Sequence, residues 1–362
     1  MEKIVDQAWA LLLAGALKKR GVLRPDLGDD IDLCVPQSRL LALVESNPAM
    51  PKLLYSSAEA SARRNAFNIV RKLGMPADYF WKFEYWPKAR ALTTLGQIVK
   101  RVFSSMMAQA KEGGLEVTDL DIDPLRFSIK FENCVECAGI SGLEYAICYY
   151  HAGTFSGILS SLINRDLASF ETACLARGDE SCRFIVGDVK DTEIKTGHEP
   201  YLAPPQISSN LASRLEKGLS NLPVRAQGNM VDVIYHQLVM VSTLLADPQR
   251  LASTSLEVGC QFGRRLAPLL AKAYGQAGLQ NMSSYYSQVR GLAIEVKESA
   301  PQLQLVIREC AESSGGIKEM EVMSFLFGEL QGLTSELTGR EMALTESRFE
   351  DGRLLITLAP KA

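Results

Sequence analysis

The stretch "HAGTFSGILSSLINRDLASFE", residues 151–171, decides how this chain is organised, because "LFGELQGLTSELTGREMALTE", residues 326–346, lies over it without a gap. Gly153 falls on Gly328, Gly157 on Gly332, Leu162 on Leu337 and Glu171 on Glu346. Self-similarity of this kind marks a repeated supersecondary unit. Upstream, "RFSIKFENCVECAG" (126–139) lies beside "LQLVIRECAESSGG" (303–316), each an alternating apolar strand that enters a polar turn. Downstream, "CLARGDESCRFIV" corresponds to "RFEDGRLLITL", with Gly178 near Gly352.

Within the first copy Phe155, Ile158, Leu159, Leu162 and Ile163 recur at helical spacing and make one apolar stripe. "ESCRFIVG" and "GRLLITLAP" read as short strands after a glycine turn. Ahead of the copies, "SSAEASARRNAFNIVRKLG" and "STSLEVGCQFGRRLAPLLAKAYG" read as matching helices, the second with Gly259 and Gly263 on one face. The expected fold class is α+β: two tandem units, each an antiparallel sheet packed with helices. The expected boundaries are an N-terminal helical segment at 1–50, a first unit at 51–187, a linker at 188–210 and, at 211–362, a second helical segment with the second unit. The linker is assigned because "GDVKDTEIKTGHEPYLAPPQISSN" is rich in Pro, Gly and charge and lacks periodicity.

The bulk numbers agree with two domains: 362 residues, 47% hydrophobic, 22% charged, formal net charge -3. Lys and Arg are scattered, which leaves no electrostatic footprint for nucleic acid. The apolar run "AWALLLAGAL" (8–17) is preceded by acids, followed by "KKR", and too short to span a membrane. These features predict a cytoplasmic protein with no membrane or nucleic-acid partner. A reducing compartment disfavours disulfides, so the eight cysteines need another role.

In "ETACLARGDESC", Glu171, Cys174 and Cys182 come close if the chain turns at Gly178 and returns along a strand. Cys148 lies 26 residues before Cys174, at the end of "EYAICYY", read as a strand. Three sulfurs and one carboxylate can thus converge, and zinc takes four tetrahedral ligands of these types, a closed set of four marking a structural site.

These residues resemble the 4-vinyl reductase (4VR) domain family and its relative at the sensory end of sigma-54-dependent activators of aromatic catabolism. The likeness is best over 115–187, and its most specific part is Glu-x-x-Cys-x-x-x-Gly-x-x-x-Cys followed by "RF". It implies a small-molecule-binding fold with zinc held by Cys148, Glu171, Cys174 and Cys182. In the second copy the equivalents are about Met323, Glu346, and Phe or Ile for the later thiols, which predicts a metal-free unit. The resemblance also implies a ligand pocket. Where the aromatic sensors clamp phenol with a histidine and a tryptophan, the tryptophan position falls near Phe131 and no histidine lies within 97–107, so phenol fits poorly.

A separate aromatic strip, "DYFWKFEYWPKAR" (78–90), offers Trp81, Tyr85 and Trp86 as walls for an apolar ligand or a cation–π cage for a quaternary ammonium; its plainer reading is core or a dimer face. Cys34, Cys260 and Cys310 are expected as small buried hydrophobes. Cys134 and Cys137 read as core residues at a strand end, with a redox pair or a second metal clip as the alternatives. His151 reads as a helix-start residue or a spare ligand, His198 as a linker residue and His236 as part of an apolar helix. No Ser-His-Asp order, nucleotide-binding glycine loop or H-E-x-x-H helix is present. The expected function is a non-catalytic sensor or carrier with structural zinc. It would bind a small apolar, aromatic or quaternary-ammonium ligand and serve a catabolic or biosynthetic pathway through a protein partner or a homodimer. The alternative class is a reductase or zinc-dependent hydrolase subunit with an open position on the metal.

Overall fold

The computed structural model describes residues 1–16, 19–72, 103–202, 211–220, 222–225, 227–245, 247–275, 278–299 and 301–361, with isolated positions between 87 and 97. The first half runs α1 (Glu2–Ala16), β1 (Asp30–Asp32), α2 (Cys34–Ser46), α3 (Met50–Lys72), α4 (Ser104–Gln109), β2 (Gly114–Ile122), β3 (Leu125–Glu132), α5 (Tyr149–Ile163), β4 (Leu167–Ala173), β5 (Cys182–Asp188) and α6 (Thr192–Tyr201). The second runs α7 (Leu211–Leu219), β6 (Met230–Asp232), α8 (Val233–Thr243), α9 (Pro248–Tyr274), α10 (Gln280–Tyr285), β7 (Ala293–Ser299), β8 (Gln302–Arg308), α11 (Ser324–Thr338), β9 (Met342–Glu350) and β10 (Arg353–Pro360).

Each half carries a four-stranded sheet of one topology, β2-β3-β5-β4 in the first and β7-β8-β10-β9 in the second, with every pair antiparallel. The α+β tandem expected from the repeat is therefore the observed architecture. Period-two burial sets the inner face: on β3, Leu125, Phe127, Ile129 and Phe131 point to the core while the residues between them do not. Helix α5 lies over this face, and α3 crosses α5 so closely that a Cβ on Gly153 would stand 2.2 Å from the Tyr55 carbonyl oxygen. The same crossing recurs between α9 and α11, where a Cβ on Gly332 would stand 1.9 Å from the Cys260 carbonyl oxygen. Both sheet-facing helices stop at a left-handed residue, Asn164 after α5 and Gly339 after α11, the usual way to end a helix and turn the chain.

Two local expectations are corrected. Residues 188–210, read as linker, contain α6, which docks on β4: Asp191 caps it by accepting the Glu193 N–H, Ile194 is buried, and Gly197 sits over the Phe170 ring. The charge-rich sequence hides this because a single apolar anchor leaves no periodic signal. "EYAICYY" is not a strand; the chain approaches irregularly and Cys148 is the N-cap of α5.

The halves are interlaced. β1 pairs with β6 antiparallel, with Ile31 opposite Val231. Asp32 and Asp232 do the same job on either side, each accepting from the backbone N–H two residues on, Cys34 at 2.7 Å and Ile234 at 2.8 Å. Arg24 reaches into the second half to donate to the Gly291 carbonyl at 2.6 Å, and Arg225 reaches into the first to donate to the Lys111 carbonyl at 2.7 Å. The pattern is that of an intramolecular pseudo-dimer. Trp9 on α1 donates to Ser61 on α3, which also accepts from Ser242 on α8.

Candidate metal centre

Four local features deliver side chains to one point. Cys148 starts α5. Glu171 lies at a β-bulge, where the β4–β5 register shifts between Glu171 and Ala173; such bulges re-aim side chains, and this one leaves Glu171 facing inward. Cys174 follows β4, its N–H held by Asp179 at 2.7 Å, and the chain reverses at Gly178 with φ +96°. Cys182 opens β5 opposite Phe131. The donor atoms of Cys148, Glu171, Cys174 and Cys182 all lie within 4.8 Å of one another, all buried.

The convergence is wider than these four. Cys134 and Cys137, in the turn after β3, join Cys148 and Cys182 in a second set of four within the same limit. Their reading as core residues holds for burial, but their sulfurs face the cluster, with Cys134 3.6 Å from Cys148 and Cys137 3.2 Å from Cys182. The C-x-x-C spacing in "CVEC" is the sequence signal for this. The turn is set by Gln37 on α2, whose amide donates to the Val135 and Ala138 carbonyls, while Arg214 on α7 donates to Gln37.

The donors suit a metal. Thiolates 2.3 Å from a tetrahedral ion stand about 3.8 Å apart, and Cys148 lies 3.8 Å from Cys182 and 3.9 Å from Cys174. Glu171 Oε2 accepts the Cys148 N–H at 3.1 Å, while its Oε1 is buried without a hydrogen-bond partner. Burial, and then the neighbouring Cys174 and Cys182, raise the Glu171 carboxyl well above its usual range; burial, and then bonds among the thiols, do the same to Cys148. A bound cation reverses this balance, because it stabilises the deprotonated ligands. The buried cysteines can therefore hold a metal ion.

His151 stands beside the cluster rather than in either set of four. Its Nδ1 lies 2.6 Å from Glu136 and 3.7 Å from the Cys134 sulfur, and its Nε2 lies 3.0 Å from Glu112. Burial works to lower its pKa, but Glu136, Cys134 and Glu112 outweigh that and hold it well above the usual histidine value. Tyr235 of the second half stacks on its ring at 6.0 Å, so the interface between the halves adjoins the cluster.

The second half is built differently. Met323 is buried at the α11 N-cap and Glu346 is exposed, paired with Arg348. Among the described residues both sets of potential metal ligands lie in the first half. The turn that corresponds to 134–138 contains Cys310 and Glu312. Glu312 is buried among Arg39 and Arg290, each at 3.1 Å, and His236 at 3.4 Å. Cys34 and Cys310 are buried, whereas Cys260 is only half-buried.

Between α5 and the sheet lies a small apolar cleft of about 20 Å³ lined by Phe103, Leu115, Ile129, Phe155, Ile158 and Leu159. Phe131 is absent from this lining; it is buried, edge-on to His151 at 4.6 Å and to Phe155 at 6.3 Å. Trp81, Tyr85 and Trp86 lie outside the described residues. Among the described residues no helix is long and apolar enough to cross a membrane.

Residues 127–188 match the vinyl-4-reductase (4VR) domain, a segment that contains all five clustered cysteines and Glu171. The uncharacterized protein MJ0150 of Methanocaldococcus jannaschii is 30% identical over 84 residues, which are 23% of this chain and 47% of that protein. The chain thus spans about half the length of this relative. Similar solved structures include the phenol-responsive sensory domain of the transcription activator PoxR with phenol, at 13% identity and TM-score 0.34, covering 48% of this chain and 82% of that one. Another is a vinyl-4-reductase family protein from Methanocaldococcus jannaschii, at 16% identity and TM-score 0.22, covering 38% of this chain and 94% of that one.

Proposed function

We propose that this chain is a non-catalytic small-molecule-binding protein, a sensor or carrier, whose 4VR domain is fixed by structural zinc and whose second unit packs without metal. The observation that carries the reading is the meeting of Cys148, Glu171, Cys174 and Cys182 from a helix cap, a bulge, a loop and a strand at one buried point. A thiolate-rich, tetrahedral, closed set favours zinc over harder ions and leaves no position for a reacting water. The ligand would enter the apolar cleft against α5, whose lining suits an apolar or aromatic molecule. At about 20 Å³ the cleft is smaller than the roughly 150 Å³ that accommodates benzene. Entry then requires Phe103 or Phe155 to move, and Phe155 belongs to the helix that Cys148 starts. Displacement of α5 is the route by which occupancy would reach a partner protein.

Elemental analysis of the purified full chain, with native mass spectrometry for retained small molecules, tests this reading. One or more zinc ions per chain and an apolar co-purifying compound are expected. Glu171→Gln should lose zinc and thermal stability together, because a structural ion contributes its binding energy to folding. A variant that stays folded, keeps its metal and loses a hydrolytic or reductase activity would point to the enzyme class instead.

A further inference from the structure

The two sets of four donors share two thiols, Cys148 and Cys182; Cys134 and Cys137 complete one set, Cys174 and Glu171 the other. We infer that the centre takes two divalent ions of zinc type, bridged by the Cys148 and Cys182 thiolates, with Cys134 and Cys137 terminal on one ion and Cys174 and Glu171 terminal on the other. This rests on the structural-metal reading above and extends it from one ion to two.

A single tetrahedral ion uses four donors. Six converge here, so one ion in either set would leave two buried donors of the other uncoordinated. Distances favour sharing. Cys148 stands 3.6 Å from Cys134, 3.9 Å from Cys174 and 3.8 Å from Cys182, each close to the roughly 3.8 Å edge of a thiolate tetrahedron. A thiol at edge distance from partners in both sets is placed as a bridge. Cys182 is the other thiol common to the sets, and its 3.2 Å approach to Cys137 is the one contact that an intervening ion would widen.

Charge points the same way. One dication offsets two of the six negative charges of the fully ionised donors and two dications offset four, in a place where all five sulfurs are shut off from water. The Cys134–Cys137 clip is also preset: Gln37 bonds both the Val135 and the Ala138 carbonyl, so the turn is held open without help from an ion. Loading the second ion releases the protons of the terminal thiols to solvent and forms only coordinate bonds.

The decisive measurement is zinc per chain in the full-length protein, prepared under reductant, loaded with zinc alone and freed of excess, counted by native mass spectrometry. Two ions are expected, falling to one in Cys134→Ser/Cys137→Ser with the circular dichroism spectrum retained. One ion in the wild type overturns the two-ion centre and leaves the single structural ion standing; none overturns both. Two ions in the double variant also overturn it, because the second then sits elsewhere. Should the double variant fail to fold, X-ray absorption at the zinc edge of the wild type decides. A metal–metal scattering path within a sulfur-dominated shell is expected, and its absence overturns the proposal.

Discussion

His236 shows how little a residue's type says about its state. It stands in an apolar helix, buried, and Arg39 approaches its Nε2 at 3.1 Å. Burial first, with Arg39 and Arg290 adding to it against the opposing pull of Glu312, lowers its pKa from 6.5 to about 4. The groups facing it are Arg39 from α2, Arg290 ahead of β7, and Glu312 in the turn after β8, itself bonded by Cys310. Because the folded form refuses a proton that the unfolded chain accepts, this stability is complete above about pH 6.5 and is lost as pH falls toward 4. The full effect is about 3 kcal/mol. Glu312, held well below its usual value by His236, Arg290 and Arg39 against burial, adds loss of the same sign only below its unfolded pKa of about 4.5. Urea denaturation of wild type and His236→Gln between pH 7 and 4.5 should show a shallower decline in the variant; parallel curves would mean that His236 is charged in the fold. Cys137 is the opposite case: its C-x-x-C spacing is visible in the sequence, but only the return of β5 beside the turn after β3 shows which thiols it faces.

At the level of elements, the glycines that reveal the repeat turn out to be contact points between helices. Gly328 and Gly332 on α11 lie against the Leu256 and Cys260 carbonyls of α9, and Gly153 and Gly157 on α5 lie against those of Tyr55 and Glu59 on α3. No Cβ fits at 1.9 to 2.3 Å, so side chains are excluded by backbone atoms that cannot rotate away. Gly332→Ala should therefore cost about 2 kcal/mol or more in chemical denaturation. Gly21→Ala, where nothing lies within 4 Å, should stay within about 0.5 kcal/mol; equal effects would refute the close crossing. Strands β3, β5, β8 and β10 and helices α3, α5, α9 and α11 are legible in the sequence because their burial has a clear period. Helix α6 is not, since docking on β4 rather than its own pattern determines it.

For the molecule as a whole, interlacing should make unfolding cooperative. Arg24 and Arg225 bond across the halves, β1 needs β6 as its partner, and Arg20 bridges Asp29 at 3.1 Å to Asp232. Calorimetry of the metal-loaded full chain should give one transition, with Arg225→Ala lowering all of it; two separable transitions would contradict a shared core. Read alone, the amino-acid order specifies two related α+β units, assigns metal chemistry to the first and names the thiols around Gly178. Those conclusions follow from local periodicity and spacing, which each segment carries within itself. The folded chain was needed to show that the segments before each unit cross to the other, that α6 docks, that Cys134 and Cys137 join the cluster, and that Glu312 sits buried among arginines and a histidine in the second unit. Each of these depends on which distant backbones meet, and that is set by the packing of the two halves against each other.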